Sequence, residues 1–297
     1  MERKKASDFP QELWYLVEDF NHGFISRREF FQRASKFAVG GLTVAGLYEA
    51  MSYNFALGQQ VPKDDARVKS EYATVSSPKG NGEIRGYLAR PAKAAGKLAG
   101  VIVVHGESGL NPHIEDVARR LATDNFMAFA PDGLTSQGGN EGGDVPAGEA
   151  KMAKVDKEKL TEDFIAATRW LKDRTDSTGK VALVGFCMGG GVANRLAVRM
   201  PDLTAAVPYY GEPPKDPEVA KIKAAVLVHH AGLDKRLLST WPGFEAALKQ
   251  NNVKYEGYVY PNVNHAFFND SGARYDDAAA KLSWQRTIAF LRKYMAS

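Results

Sequence analysis

Beyond residue 70 the chain alternates short apolar runs with longer stretches in which apolar residues recur at helical spacing. Residues 98–104 form an unbroken apolar run, the pattern of a strand buried on both faces. Residues 71–76 and 84–89 instead alternate apolar and polar, with Gly80-Asn81-Gly82 between them, which predicts an N-terminal hairpin. Further strands are predicted at 126–130, 180–184, 205–209, 224–229 and 254–260. Helices are predicted at 112–123, 151–172, 190–200, 244–251 and 277–295. Ile114, Val117, Ala118 and Leu121 mark the inner face of the first helix; Phe164, Ala167 and Leu171 mark that of the second. A glycine-rich loop covers 138–143. Strands alternating with helices predict an α/β fold with a mostly parallel central sheet and helices on both faces. No repeat or linker interrupts it, so residues 62–297 read as one domain.

Residues 1–61 break this pattern. They are charged up to Lys36, and from there to Lys63 the only charge is Glu49. The apolar stretch from Phe37 to Leu47 is too short and too glycine-rich for a stable membrane span. Before it stands Ser26-Arg27-Arg28-Glu29-Phe30-Phe31, which resembles a twin-arginine export signal, and Ala56-Leu57-Gly58 offers a cleavage site. That reading makes residues 1–61 a leader and the protein periplasmic. The alternative is an uncleaved amphipathic N-terminal helix, with Trp14, Leu16, Val17 and Phe20 facing inward, on a cytoplasmic protein.

Composition narrows the chemistry. A single cysteine among 297 residues excludes internal disulfides and multi-cysteine zinc or iron–sulfur sites. The net charge of +4 comes from scattered basic residues, with no stripe that would track nucleic acid. Residues 1–61 hold seven basic and seven acidic residues, so removing them leaves the balance unchanged.

That one cysteine stands in Gly185-Phe186-Cys187-Met188-Gly189-Gly190, after an apolar strand and before a helix. This is the nucleophile-elbow pattern, with cysteine in the place of serine. The flanking glycines relieve a tight turn, and the helix N-terminus is expected to lower the thiol pKa. In such folds acid and base follow the nucleophile on loops beyond later strands. Asp234, after the strand at 224–229, and His265, after the strand at 254–260, keep that order. His265 is read as the base and Asp234 as its orienting carboxylate. Asp234 also fits a helix cap, and His265 a surface histidine. Asp132 is a rival carboxylate but precedes the elbow. Oxyanion donors are assigned to the Met188 and Glu107 N–H groups, and the Glu107 side chain is a candidate neighbour of the thiol. His229 and His230, adjacent at a strand end, point to opposite faces and read as packing or polar support. No cofactor and no metal is called for; competing readings are a non-catalytic binding scaffold, and a metal site from Cys187, His265 and His230.

On the elbow hexapeptide, Gly232-Leu233-Asp234 and Asn264-His265-Ala266-Phe267, residues 71–295 resemble the dienelactone hydrolase family of cysteine-nucleophile α/β-hydrolases. Supporting segments are Pro131-Asp132-Gly133-Leu134, Tyr209-Tyr210-Gly211 and Gly109-Leu110-Asn111. The resemblance implies hydrolysis of a small ester or lactone, of carboxymethylenebutenolidase type, through a cysteinyl acyl-enzyme and without a cofactor. Family members carry a glutamate where Gly106 stands and a carboxylate-binding arginine where Asn269 stands. Their absence here points to a neutral or differently charged ester in place of dienelactone itself.

Overall fold

The computed structural model describes residues 4–21, 23–38 and 43–296. Eight strands form one sheet: β1 (Val68–Ser77), β2 (Gly82–Pro91), β3 (Leu98–Val104), β4 (Met127–Pro131), β5 (Ser177–Phe186), β6 (Ala205–Tyr209), β7 (Ala225–Ala231) and β8 (Tyr255–Tyr260). Their order is β1-β2-β4-β3-β5-β6-β7-β8. The first two strands form the expected hairpin, with Tyr72 opposite Tyr87, and β2 runs antiparallel to β4. From β4 through β8 every neighbour is parallel, which leaves the carboxyl ends of β5, β7 and β8 on one edge.

Among the described residues the helices are α1 (Gln11–Asn21), α2 (Arg27–Ala34), α3 (Val44–Ala50), α4 (Pro112–Thr123), α5 (Val145–Met152), α6 (Lys157–Lys172), α7 (Met188–Arg199), α8 (Asp216–Val219), α9 (Lys235–Leu238), α10 (Trp241–Gln250) and α11 (Asp277–Met295). Two apolar cores cover the two faces of the sheet. One joins Val101, Val103, Val117 and Leu121 to Phe290 and Leu291; the other joins Ile102, Val104, Phe164 and Leu171 to Leu196 and Leu248. The single helix predicted at 151–172 is two helices. Asp156 interrupts it because its side chain accepts from the Glu158 and Lys159 N–H groups and starts α6 afresh.

Residues 1–61 are built into the body as far as they are described; Val39 to Leu42, within the apolar stretch, lie outside the described residues. The two arginines of Ser26-Arg27-Arg28 open α2, where Ser26 and Glu29 form a reciprocal capping box. Leu13, Trp14, Val17, Phe30 and Ala34 bury together with Ala273 of the main domain, while Leu16 and Phe20 pack partly buried at the margin. Further on, the N–H groups of Gln60 and Val61 donate to Asp116, Arg119 donates to the Val61 carbonyl, and Arg120 donates to the Gly58 carbonyl. Among the described residues no helix is long and apolar enough to cross a membrane.

Candidate active site

The elbow forms where β5 runs into α7. Cys187 has φ 56° and ψ −120°, a conformation that side chains with a Cβ rarely adopt. It is held there by its own N–H, which donates to the Tyr209 carbonyl at 3.1 Å, and by its carbonyl, which accepts from Gly190 at 2.9 Å. A Cβ at Gly185 would meet the Gly189 carbonyl oxygen at 2.0 Å, and one at Gly189 would meet the Val104 carbonyl oxygen at 2.2 Å. The two glycines therefore let strand, turn and helix close on one another. Met188 is the first residue of α7, so its N–H has no partner within the helix.

The turns after β7 and β8 bring Asp234 and His265 to the same edge. Cys187 Sγ lies 2.9 Å from His265 Nε2, and His265 Nδ1 lies 2.7 Å from Asp234 Oδ2. The other oxygen of Asp234 accepts from the Leu237 N–H and caps α9. The two sequence readings of Asp234, cap and orienting acid, thus meet in one carboxylate whose rotation is locked. Tyr210 packs on the His265 ring with centroids 4.6 Å apart. The residue after the histidine, Ala266, has φ 66°, so this loop is strained as well.

Glu107 reaches the sulfur despite its one-residue offset: the thiol donates to Glu107 Oε2 at 3.1 Å. His105 anchors the loop. It is buried, which lowers its pKa; its Nε2 accepts from the Gly133 N–H at 2.8 Å, and its Nδ1 therefore donates to the Gly106 carbonyl. Asp132, the rival carboxylate, also serves the loop, accepting from the Leu110 and Leu134 N–H groups.

The electrostatics correct the expectation of a lowered thiol pKa. Burial, and after it the Glu107 carboxylate, push Cys187 up to about 11, against the opposing pull of His265. The partial charge at the start of α7 is outweighed by burial together with a carboxylate at hydrogen-bond distance. Burial alone would lower His265, but the Cys187 sulfur and Asp234 together raise it to about 10. Asp234 is held below the usual carboxylate range: burial opposes this, and the hydrogen bond and charge of His265 prevail. The resting arrangement is a neutral thiol aimed at Glu107, with His265 Nε2 at hydrogen-bond distance from the sulfur. Replacing Glu107 with glutamine is accordingly expected to lower the thiol pKa. Iodoacetamide labelling at pH 8 should then quicken by about threefold per pKa unit, because thiolate gain outruns the loss of nucleophilicity. Labelling as slow as in the wild type would refute Glu107 as a cause.

His229 and His230 do point apart. His229 bridges Thr287 at Nε2 and the Tyr260 hydroxyl at Nδ1, whereas His230 packs on Trp241 at 5.1 Å. Burial pushes His230 down to about 4. The metal reading through Cys187, His265 and His230 is not met: among the described residues no group of three or more His, Cys, Asp or Glu could hold an ion.

Sequence reasoning missed one wall of the cleft above Cys187. That wall includes Glu18, Asn21, Tyr53 and Phe55 from the N-terminal segment, with Glu149 and Arg274 from the main domain. Arg274 is 8% exposed; its Nη1 bonds Glu18, its Nη2 donates to the Tyr53 hydroxyl at 3.1 Å, and its guanidinium lies 5.5 Å from the centre of the Trp14 ring. Burial pulls Arg274 down to about 10, so it stays charged at neutral pH. Burial, then the charge of Glu107, raise Glu149 to about 7. Glu18 stands four residues after Trp14 and one after Val17, at the edge of the apolar face of α1. That position was the available signal that its head group would be held near a buried surface.

Comparison with known proteins bears on this arrangement. The model of the dienelactone hydrolase family matches residues 84–295, and a YqhI-like model matches residues 1–39. The chain is 32% identical over 246 residues to a "Putative carboxymethylenebutenolidase" of Saccharolobus solfataricus, covering 71% of this chain and 94% of that one. It is 50% identical over 103 residues to the "Putative hydrolase fragment YghX" of Escherichia coli K12, covering 35% of this chain and 88% of the fragment. Among solved structures, a "Putative Dienelactone Hydrolase" from Klebsiella pneumoniae superposes with TM-score 0.67 at 31% identity, over 76% of this chain and all of the other.

Proposed function

This chain belongs to the dienelactone hydrolase family, and from that premise we propose that it hydrolyses a small carboxylic ester or lactone through an acyl-thioester on Cys187. The observation that carries the reading is the hydrogen-bonded chain from Cys187 through His265 to Asp234, on a strained elbow inside a cleft. The sulfur attacks the carbonyl carbon. Its proton passes to Glu107 Oε2, the acceptor it already faces, while His265, held charged through its bond to Asp234, donates to the sulfur from Nε2. The sequence reading gave that proton to His265; the hydrogen bond from the thiol to Glu107 supports the carboxylate as its first acceptor. The imidazolium steadies the thiolate and then protonates the departing alkoxide. The Met188 and Glu107 N–H groups would hold the oxyanion. In the second half, neutral His265 takes a proton from water, the hydroxide releases the acid, and the thiolate recovers its proton from Glu107. Asp234 keeps the imidazole turned toward the sulfur throughout.

Acid-quenched protein from a reaction with a 4-nitrophenyl ester should carry the acyl group on the Cys187 peptide, as seen by mass spectrometry. Consumption of the ester with the acyl group elsewhere would sink the mechanism. A binding scaffold without turnover has less support, since it gives no use for an imidazole held between thiol and carboxylate. The same reading keeps residues 1–61 on the working protein. Cutting near Gly58 would strip Glu18, Tyr53 and Phe55 from the cleft wall, which favours retention over removal after export.

A further inference from the structure

We propose that Glu18 sets the charge of the substrate this cleft accepts: it occupies the guanidinium of Arg274 from within the chain and so selects uncharged esters. The inference rests on the hydrolase reading above and names the substrate class of that same site.

A guanidinium lining a cleft is a ready partner for a carboxylate, because its planar fork matches one with two parallel donors. Arg274 already has its carboxylate. Glu18 bonds it from one side, Tyr53 takes a second nitrogen, and the Trp14 ring lies against it. Glu18 is no loose surface chain. It projects from a helix whose Leu13, Trp14 and Val17 are buried, and its Oε2 comes within 3.8 Å of His265 Nδ1. The carboxylate that the cleft supplies itself therefore lies close to the reacting groups.

The remaining charge points the same way. Glu18 and Glu107, joined by Glu149 where it is ionised, line the cleft with the guanidinium of Arg274. A substrate carboxylate would meet the negative charge of Glu18 and Glu107 and would have to displace Glu18 to reach the guanidinium. An uncharged acyl or alcohol group need do neither. Removing the charge of Glu18 should free Arg274 to receive an anionic group.

The test uses the single cysteine as a probe that does not depend on turnover. Labelling rates of Cys187 by N-ethylmaleimide and by 3-maleimidopropionate are compared, since the two reagents differ in one carboxylate. In parallel, hydrolysis of 4-nitrophenyl butyrate is compared with that of mono-4-nitrophenyl glutarate. In Glu18→Gln the anionic-to-neutral rate ratio should rise by about tenfold or more, the scale of one charge-assisted hydrogen bond. In the double variant Glu18→Gln/Arg274→Gln, which removes the guanidinium together with its partner, the ratio should return to the wild-type value. Ratios are read because any effect of Glu18 on His265 is common to both members of a pair. A Glu18→Gln labelling ratio within twofold of the wild type, or a rise that survives loss of Arg274, overturns the inference. If the labelling ratio shifts but neither ester is cleaved, the hydrolase reading falls and the role of Glu18 stands. Should Glu18→Gln fail to fold, Glu18→Asp, which draws the carboxylate back by one methylene, reads the same ratio with the same sign.

Discussion

Cys187→Ala is expected to abolish ester hydrolysis and leave the fold in place. The variant keeps a Cβ at the strained φ of 56°, so the elbow loses no conformational freedom that it had. What disappears is the sulfur and its two contacts, to His265 Nε2 at 2.9 Å and Glu107 Oε2 at 3.1 Å. Both partners line the cleft, where water can replace the sulfur. The melting temperature should therefore move by only about 2 °C, as calorimetry would record. Turnover has no such substitute. Without the nucleophile the acyl-enzyme route is closed, and what remains is binding and oxyanion stabilisation. A loss of kcat/KM on the order of 10⁴ or more follows, about 5 kcal/mol at the transition state. A variant retaining a tenth of wild-type kcat/KM on a 4-nitrophenyl ester would show that Cys187 is not the attacking group. A secondary effect has a definite sign. The sulfur is one of the groups that raise His265, so the imidazole pKa should fall in the variant, which proton NMR of the ring can follow.

The elements that were legible in advance are those whose information is local. The run at 98–104 reads as a strand because every side chain on it meets an apolar layer, and β3 occupies those same residues. Cys187 was placed by its glycine-flanked elbow, and Asp234 and His265 by chain order and strand-end position, because a parallel sheet delivers the ends of β5, β7 and β8 to one edge. Local reading fails where the answer depends on long-range charge. The start of α7 suggested a lowered thiol pKa, yet burial of the sulfur, and after it Glu107, 80 residues away, reverse it. It fails again for the cleft wall. Glu18 and Arg274 are 256 residues apart, and neither belongs to a motif. The burial of Trp14, Val17 and Phe30 with Ala273 helps to bring them together. The Ser26-Arg27-Arg28 run shows the converse: the same residues that resemble an export address also open a capped helix, and sequence pattern alone does not separate the two uses.

Deleting residues 1–58 is expected to destabilise the protein severely rather than to release a mature enzyme. The cut would leave the Gln60 and Val61 contacts to Asp116 in place, so the loss can be assigned to what lies before Gly58. Arg274 loses both Glu18 and Tyr53, and with them the Trp14 ring beneath its guanidinium. Asn264, next to His265, loses its bond from Gln11, and Ser271 loses the bond its carbonyl accepts from Asn54. Arg120 loses the Gly58 carbonyl. Breaking a buried ion pair on one side costs up to about 3–5 kcal/mol where the remaining charge stays poorly hydrated, and water reaching the uncovered guanidinium offsets part of that. The larger loss comes from the apolar surface around Ala273, which Leu13, Trp14, Val17 and Phe30 no longer cover. The total is comparable with the whole stability of an ordinary domain, so a largely unfolded or aggregating product is the expected result. If the orphaned guanidinium is the main cause, Arg274→Leu in the shortened chain should recover part of the melting temperature, while the same change in the full chain should lower it by orphaning Glu18. Equal melting temperatures and equal ester turnover for the full and shortened proteins would show instead that residues 1–58 are a removable leader.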